Sequence, residues 1–143
     1  MLMYLSHENF NLNKQRLQIE ARESLIIVCV VSTHCPACIK LNNSIYDFVN
    51  IFPEISFGLL NIEHNPQFSS IVENSKSKID LNVVPMFLYF KLGVFERVLN
   101  MDELKVSTLK QELFFELQAF REKKNTNTCS SNIITNTLAE AYL

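Results

Sequence analysis

Apolar residues in this chain form several continuous blocks separated by mixed, periodic stretches. Three blocks contain few polar residues: Ser24–Ser32 ("SLIIVCVVS"), Ile55–Ile62 ("ISFGLLNI") and Val83–Phe90 ("VVPMFLYF"). Apolar runs of this length without alternation are typical of strands buried on both faces. Two further strands are predicted at Leu2–Ser6, which is short and apolar, and at Val94–Leu99, which alternates and follows the turn "KLG".

A long helix is predicted directly after the first of these buried strands. Pro36 suits the first turn of a helix, where its missing N–H costs nothing, and Pro53 stops the helix. Apolar residues between the two prolines recur roughly on one face, at Ile39, Leu41, Ile45, Phe48, Val49 and Phe52.

Three more helices complete the predicted order of elements. The stretch after Ser6, with Phe10, Leu12, Leu17 and Ile19, suggests one helix, Pro66 to about Ser77 a second, and Ser107 as N-cap to Phe120 a third. Alternating strands and helices predict an α/β fold with a central mixed sheet of about five strands, flanked by about four helices. We expect this domain to span residues 1–122. Residues 123–143 would form a polar C-terminal tail with the pattern of a weak, short helix.

Composition narrows the class of protein. The 143 residues are 48% hydrophobic and 20% charged, which is a globular composition with enough chain for one core. A net charge of −2 gives no electrostatic footprint for nucleic acid or an anionic membrane. The start of the chain does not read as a signal peptide, and no apolar run reaches the ~20 residues of a membrane span. We therefore expect a cytoplasmic protein with no nucleic-acid or membrane partner.

Two of the four cysteines, Cys35 and Cys38, lie two residues apart where the first buried strand gives way to the long helix. In a reducing compartment such a pair is more often catalytic or metal-binding than structural. A zinc site commonly uses two close pairs of ligands. The remaining candidates, Cys29, Cys129, His7, His34 and His64, form no second pair, so no metal site is predicted.

Over roughly residues 1–121 the chain resembles thioredoxins, and four features carry the resemblance. They are the C-x-x-C between strand and helix, the segment "LLNIEHNP", the proline of "VVP" near the head of the next strand, and the hairpin segment "FKLG". The order of the first and third features, with some fifty residues between them, makes the match specific.

The resemblance implies a protein thiol–disulfide oxidoreductase. Cys35 would attack substrate disulfides as a thiolate, favoured by its place at a helix N-terminus, and Cys38 would resolve the mixed disulfide. Val84 would offer its backbone to an extended substrate beside a cis-peptide at Pro85. No organic cofactor is implied. The expected partners are proteins with disulfides or thiols and a reductase or other thiol donor, and the protein would be a monomer or weak dimer.

The chain departs from the thioredoxin pattern at positions that tune the chemistry. Cys29 and Leu59 replace a buried aspartate and its lysine partner, and His34 replaces the tryptophan before the first cysteine. A protonated His34 would favour the Cys35 thiolate; alternatively it is an exposed loop residue. Pro36-Ala37, which also tune the site, place proline first as in glutaredoxins. The glycine pair that those proteins use for glutathione has no counterpart in "FERVLNMDEL".

Two other functions stay open at this point. The missing charged pair and tryptophan also suit a catalytically weak binding module for partner proteins. A third hypothesis is a scaffold whose C-terminal tail mediates oligomer formation. Cys29 is either a small buried hydrophobe or a third redox thiol, and the sequence does not assign Cys129.

Overall fold

A seven-stranded mixed sheet forms the centre of the structure, a computed structural model that describes residues 1–120 and 122. Its strands, in chain order, are β1 (Leu2–Leu5), β2 (Phe10–Asn13), β3 (Arg16–Ile19), β4 (Leu25–Val31), β5 (Ser56–Asn61), β6 (Met86–Lys91) and β7 (Val94–Val98). In space their order is β1-β5-β4-β6-β7-β3-β2. β1, β5 and β4 are parallel, and each remaining neighbour pair is antiparallel.

Helices and a short 3-10 turn connect or follow these strands in the described part of the chain. They are the turn at His7–Asn9 and the helices α1 (Pro36–Ile51), α2 (Gln67–Glu73) and α3 (Val106–Glu112); residues 114–120 are also helical. The chain divides into two compact units between Val106 and Ser107, and the whole sheet, α1 and α2 belong to the first. The α/β class with a central mixed sheet is therefore confirmed.

β4 is the most deeply buried strand, because all seven of its residues are buried and the five from Ile26 to Val30 have no exposed surface. It pairs with β5 on one side and β6 on the other, with Cys29 opposite Leu59 of β5. One face of the sheet packs against Phe68 and Val72 of α2. The other face packs against α1, where the rings of Phe48 and Phe57 meet edge to face at 6.3 Å.

The buried stripe of α1 explains why this helix forms where the sequence predicts it. Its buried residues are Cys38, Leu41, Ile45 and Phe48, spaced three and four apart. The predicted stripe was wrong at one place: Ile39 is 57% exposed, and Cys38 takes the corresponding buried position.

The helix predicted after Ser6 is wrong, because this stretch forms the β2–β3 hairpin. Apolar residues alternate in each arm, Phe10 with Leu12 and Leu17 with Ile19, which is the two-residue period of a strand. Between the arms, Lys14 and Gln15 both have positive φ, 53° and 65°, as in a two-residue turn whose twist matches the strands. The hairpin raises the strand count from about five to seven.

Three smaller predictions also need correction. Pro85 does not lie within a strand but directly precedes β6, so it removes no donor from the ladder. α2 ends at Glu73 rather than near Ser77. Ser107 lies inside α3 rather than capping it, and a turn at Leu113 interrupts the predicted last helix. The predicted tail, residues 123–143, lies outside the described residues.

The left-handed backbone at the hairpin turn predicts that Gln15→Gly stabilises the protein. A non-glycine residue at positive φ carries a steric cost that glycine avoids. We expect the free energy of unfolding, measured by urea titration, to rise by about 0.5–1 kcal/mol. As a matched control, Gln18→Gly in β3 should lower it, because glycine weakens a strand interior. A fall with Gln15→Gly as large as with Gln18→Gly would contradict this account of the turn.

Candidate active site

The candidate site lies at the edge of the sheet where the parallel strands β4 and β5 end. Val31, the last residue of β4, is the register partner of Asn61, the last residue of β5. The backbone N–H of Ile62 donates to the carbonyl of Val31 at 2.9 Å and ties the two ends together. The segment that follows β4 must therefore leave the sheet at this edge, and it leads into α1 within five residues.

Cys35 occupies the N-cap position of α1, with extended backbone dihedrals of −101° and 111°. Its sulfur accepts a hydrogen bond from the backbone N–H of Cys38 at 3.2 Å, and Pro36 follows at the start of the helix. The first N–H groups of a helix have no partner within it, and the helix dipole is positive at this end. Cys35, which is half-buried, thus places its sulfur where negative charge is stabilised.

Cys38 lies one helical turn further in and is only 2% exposed. Burial is the main reason that the pKa of its thiol rises to about 11, and a hydrogen bond with the Cys35 side chain adds to the rise. A hydrogen bond from the backbone of Ser32 acts in the opposite direction. At neutral pH the inner sulfur is therefore a neutral thiol in contact with the outer one.

The loop before β6 brings Val84 and Pro85 to the cysteine pair. The peptide bond between these two residues is cis. The Cys35 thiol points at the backbone carbonyl of Val84, with sulfur and oxygen 3.7 Å apart. Pro85 and Ala37 line one shallow pocket beside the pair, together with Lys40, Leu41, Ser44, Asp102, Glu103 and Leu104. The Cys35 sulfur thus contacts both its neighbour Cys38 and the distant residue Val84.

The remaining predicted residues of this site lie on its solvent side. His34, Pro36 and Ala37 are all exposed. His34 directly precedes Cys35 in the turn, and its proximity to the Glu63 carboxylate is a minor cause of the lowered pKa of that carboxyl.

Cys29 is completely buried in the middle of β4, and burial strongly raises the pKa of its thiol. Its register partner across the parallel ladder is Leu59. These are the two positions at which the resemblance places a buried aspartate and lysine. The structure shows that they are neighbours here as well, and that neither carries a charge.

Sequence reasoning missed an exposed polar network beside the cysteine turn. The Ser32 hydroxyl donates to a carboxylate oxygen of Glu63, and the side-chain amide of Asn61 donates to the Thr33 hydroxyl at 3.1 Å. The signal was present in "LLNIEHNP", because Asn61 and Glu63 come directly at the end of a strand parallel to β4. The hydrogen bond from Ser32 is the main reason that the pKa of Glu63 lies below its ordinary value.

Other candidate ligands do not gather at this site. His7 donates its backbone N–H to the side-chain oxygen of Asn65 at 3.0 Å, and His64 is exposed. Within residues 1–120 and 122, no three His, Cys, Asp or Glu side chains lie close enough together to hold a metal ion. Cys129 lies outside this range. Among the same residues no helix is long and apolar enough to cross a bilayer.

Comparison with solved structures identifies proteins that share this architecture. Thioredoxin O2 from Arabidopsis thaliana, in its oxidised state, matches with a TM-score of 0.53 and 21% identity, over 78% of this chain and 90% of that one. Thioredoxin f2 from Chlamydomonas reinhardtii matches with a TM-score of 0.57 and 15% identity, over 79% and 94%. No protein-family model matches the chain, and no curated protein matches it in sequence. The chain thus has the thioredoxin fold, as its sequence motifs predict.

The burial of Cys29 predicts that it does not react in the native protein. Iodoacetamide at pH 8 should modify Cys35 in the reduced protein, because its side chain is accessible and thiolates are the reactive form. Cys29 should stay unmodified until urea unfolds the chain, as measured by peptide mass spectrometry. Modification of Cys29 at the rate of Cys35 in the folded protein would contradict its place in the core.

The raised pKa of Cys38 predicts how its reactivity depends on pH. In the Cys35→Ser variant, alkylation of Cys38 should accelerate by about tenfold per pH unit between pH 7 and pH 9, because only the thiolate reacts. The rate should show no plateau in this range, because burial, the main cause of the raised pKa of Cys38, does not depend on the Cys35 sulfur and keeps the thiol largely protonated. A plateau below pH 8 would show an inner thiol that ionises much more easily than its burial suggests.

Proposed function

We propose that this thioredoxin-fold chain is a thiol–disulfide oxidoreductase that acts on protein disulfides through Cys35 and Cys38. One observation carries the proposal: the Cys35 sulfur lies at the N-terminus of α1, in contact with Cys38 and with the Val84 carbonyl. This arrangement brings together the Cys35 nucleophile, the Cys38 thiol and the backbone of Val84, which lies outside the strand that follows it. All three lie at one edge of the sheet. We further propose that the protein works in the cytoplasm as a monomer or weak dimer.

The proposed reaction moves two electrons in two exchange steps. The Cys35 thiolate attacks one sulfur of the substrate disulfide, forming a mixed disulfide, and the other substrate sulfur leaves and takes up a proton. The Cys38 thiol then loses its proton and attacks the Cys35 sulfur. This second step breaks the mixed disulfide, and the released substrate sulfur is protonated. The substrate ends as two thiols, and Cys35–Cys38 ends as a disulfide.

The second step sets the main chemical demand on this site. Cys38 must ionise before it attacks, and its burial opposes ionisation. The neighbouring positions Cys29 and Leu59 offer no carboxylate to receive the proton, so we propose that water or His34 receives it. Electrons then return to the pair from a reductase or another thiol donor. No organic cofactor is required, because sulfur atoms carry the electrons.

The backbone at Val84 and Pro85 is the proposed docking point for the substrate. An extended segment that pairs with Val84 would lie beside the Cys35 sulfur, since the Val84 carbonyl is 3.7 Å from it. Pro85 and Ala37, in the adjoining pocket, would shape the surface that the substrate covers. Backbone pairing depends little on side chains, which suits a range of substrate proteins.

A catalytically weak binding module is the alternative function. The absence of charge at Cys29 and Leu59 and the raised pKa of Cys38 favour it, because both make the resolving step harder. Such a protein would hold partners at the same edge of the sheet without releasing reduced product efficiently.

Insulin reduction with dithiothreitol separates the two functions. An oxidoreductase should accelerate insulin precipitation, and Cys35→Ser should reduce the rate to that of dithiothreitol alone because the attacking sulfur is gone. Cys38→Ser should accumulate a mixed disulfide with insulin, visible by mass. Cys29→Ala is the matched control and should keep most of the activity. A wild-type rate no higher than that of the double serine variant would favour the binding module.

The exposed imidazole next to Cys35 predicts a change in redox balance for His34→Ala. A protonated His34 stabilises the thiolate, and hence the reduced form, so its removal should shift the equilibrium with glutathione toward the Cys35–Cys38 disulfide. We expect a shift of about twofold to fivefold, since exposed charges interact weakly. His64→Ala, the control at another exposed histidine, should leave the equilibrium unchanged. An equal equilibrium in both variants would remove His34 from the proposed mechanism.

A further inference from the structure

Two polar residues at the end of β5 contact the turn that carries Cys35. Asn61 donates from its side-chain amide to the Thr33 hydroxyl at 3.1 Å, and Glu63 accepts a hydrogen bond from the Ser32 hydroxyl. These contacts join one strand end to the loop that follows the neighbouring strand. They lie outside the cysteine pair itself, and the proposed chemistry does not use them.

Ser32 connects this network to both cysteines. Its backbone carbonyl accepts the N–H of Cys35 at 3.4 Å. Its backbone also makes the hydrogen bond that counteracts the raised pKa of Cys38. A hydroxyl held by Glu63 therefore fixes a residue whose main chain contacts both reacting groups.

The strand-end side of the network is itself held in place. The side-chain oxygen of Asn61 accepts the backbone N–H groups of Glu63 at 2.9 Å and His64 at 3.3 Å. The side-chain amide of Asn65, a buried residue, donates to the Asn61 carbonyl at 3.0 Å. Glu63 thus extends from a fixed backbone, which allows it to restrain Ser32.

We propose that Glu63 is a positioning residue that, through the Ser32 hydroxyl, holds the Cys35–Cys38 turn in the geometry needed for disulfide exchange. This inference rests on the proposed oxidoreductase function and gives a role to Glu63, a residue of "LLNIEHNP" to which the resemblance assigned none. The hydrogen bond, rather than the negative charge, is the operative feature. Glu63 is exposed, and the field of an exposed carboxylate is strongly screened by solvent.

The test compares four variants of the full chain: Glu63→Ala, Glu63→Gln, Ser32→Ala and the Ser32→Ala/Glu63→Ala double variant. Glu73→Ala, which removes an exposed glutamate from α2, is the matched control. Two quantities are measured. The first is the equilibrium constant of the Cys35–Cys38 pair in a glutathione buffer series. The second is hydrogen exchange of the Cys35 amide in the reduced protein, which reports the order of the turn without any catalysis.

Glu63→Ala should shift the equilibrium toward the disulfide by about threefold to tenfold, the range expected for the loss of one hydrogen bond. The direction follows from the form that the structure describes, in which Cys35 and Cys38 are free thiols and Ser32 donates to Glu63, because loss of this hydrogen bond destabilises the reduced form. Ser32→Ala should cause the same shift, and the double variant should add nothing, because both changes remove one interaction. Glu63→Gln should stay within twofold of wild type, since an amide oxygen also accepts from a hydroxyl. Exchange of the Cys35 amide should accelerate in the alanine variants only.

The possible failures are distinguishable. A wild-type protein that forms no Cys35–Cys38 disulfide at any glutathione ratio would overturn the proposed function and this inference together. A normal wild-type equilibrium that neither alanine variant changes would overturn the role of Glu63 and leave the function intact. A Glu63→Gln variant that behaves like Glu63→Ala would show that charge, not the hydrogen bond, is what matters, and would also overturn the inference.

Discussion

The complete burial of β4 is the constraint on which the rest of the structure depends. Its seven apolar residues need a strand on each side and a covered surface on each face, and β5, β6, α1 and α2 supply these. Because the strand runs parallel to β5, both end at one edge, and the chain beyond Val31 has to turn there before it can form a helix. The position of Cys35 at the start of α1 is thus a consequence of packing in the core. A reactive group at this edge is attached to the most deeply buried strand of the sheet. The loop before β6 also reaches this edge and contacts the group.

Most of the fold could be predicted because its central elements follow one pattern without conflict. The continuous apolar runs of β4, β5 and β6 and the prolines that frame α1 gave the right elements at nearly the right bounds. The hairpin was missed for a physical reason. Phe10, Leu12, Leu17 and Ile19 are too few to separate a period of two from one of 3.6, and the turn uses Lys14 and Gln15 rather than the Asn-Gly pair that usually marks it. Tertiary pairing with β7, which no local pattern reveals, decides the outcome.

The candidate site was predictable in its cysteines and less so in its supporting residues. The spacing of Cys35 and Cys38 and their place between strand and helix are local properties of the sequence. The contact of Cys35 with Val84 joins residues 49 positions apart, and it was accessible only through the resemblance to thioredoxins. The link from Glu63 to Ser32 depends on the register of two parallel strands, which a single sequence does not fix. Polar residues such as Ser32 and Glu63 are common after strands, so the sequence does not mark them as partners. Their contact is recognisable only once the ends of β4 and β5 are placed side by side.

The network at Asn61 and Glu63 also bears on how a site of this kind can exist without a buried charge. An internal ion pair in the core is costly to build and is destabilising when half of it is lost. Cys29 and Leu59 avoid that cost, and the polar support of the site lies instead at the strand ends, in contact with water. Support placed there costs little desolvation. The network acts on the cysteines through the main chain of Ser32. Residues of the core and residues of the site can therefore be substituted with some independence.

The outermost strands of the sheet have a consequence for how the molecule meets its neighbours. β1 and β2 are each four residues long, and β2 is bounded on one side by a tight reversal and carries Asn11 and Asn13. Unpaired peptide groups at the margin of a sheet are a template for intermolecular pairing, and short margins limit it. Any foreign strand that joined this sheet would find a row of only about four residues to match. The hairpin that widens the sheet thus also gives it a short edge, which limits further growth on that side.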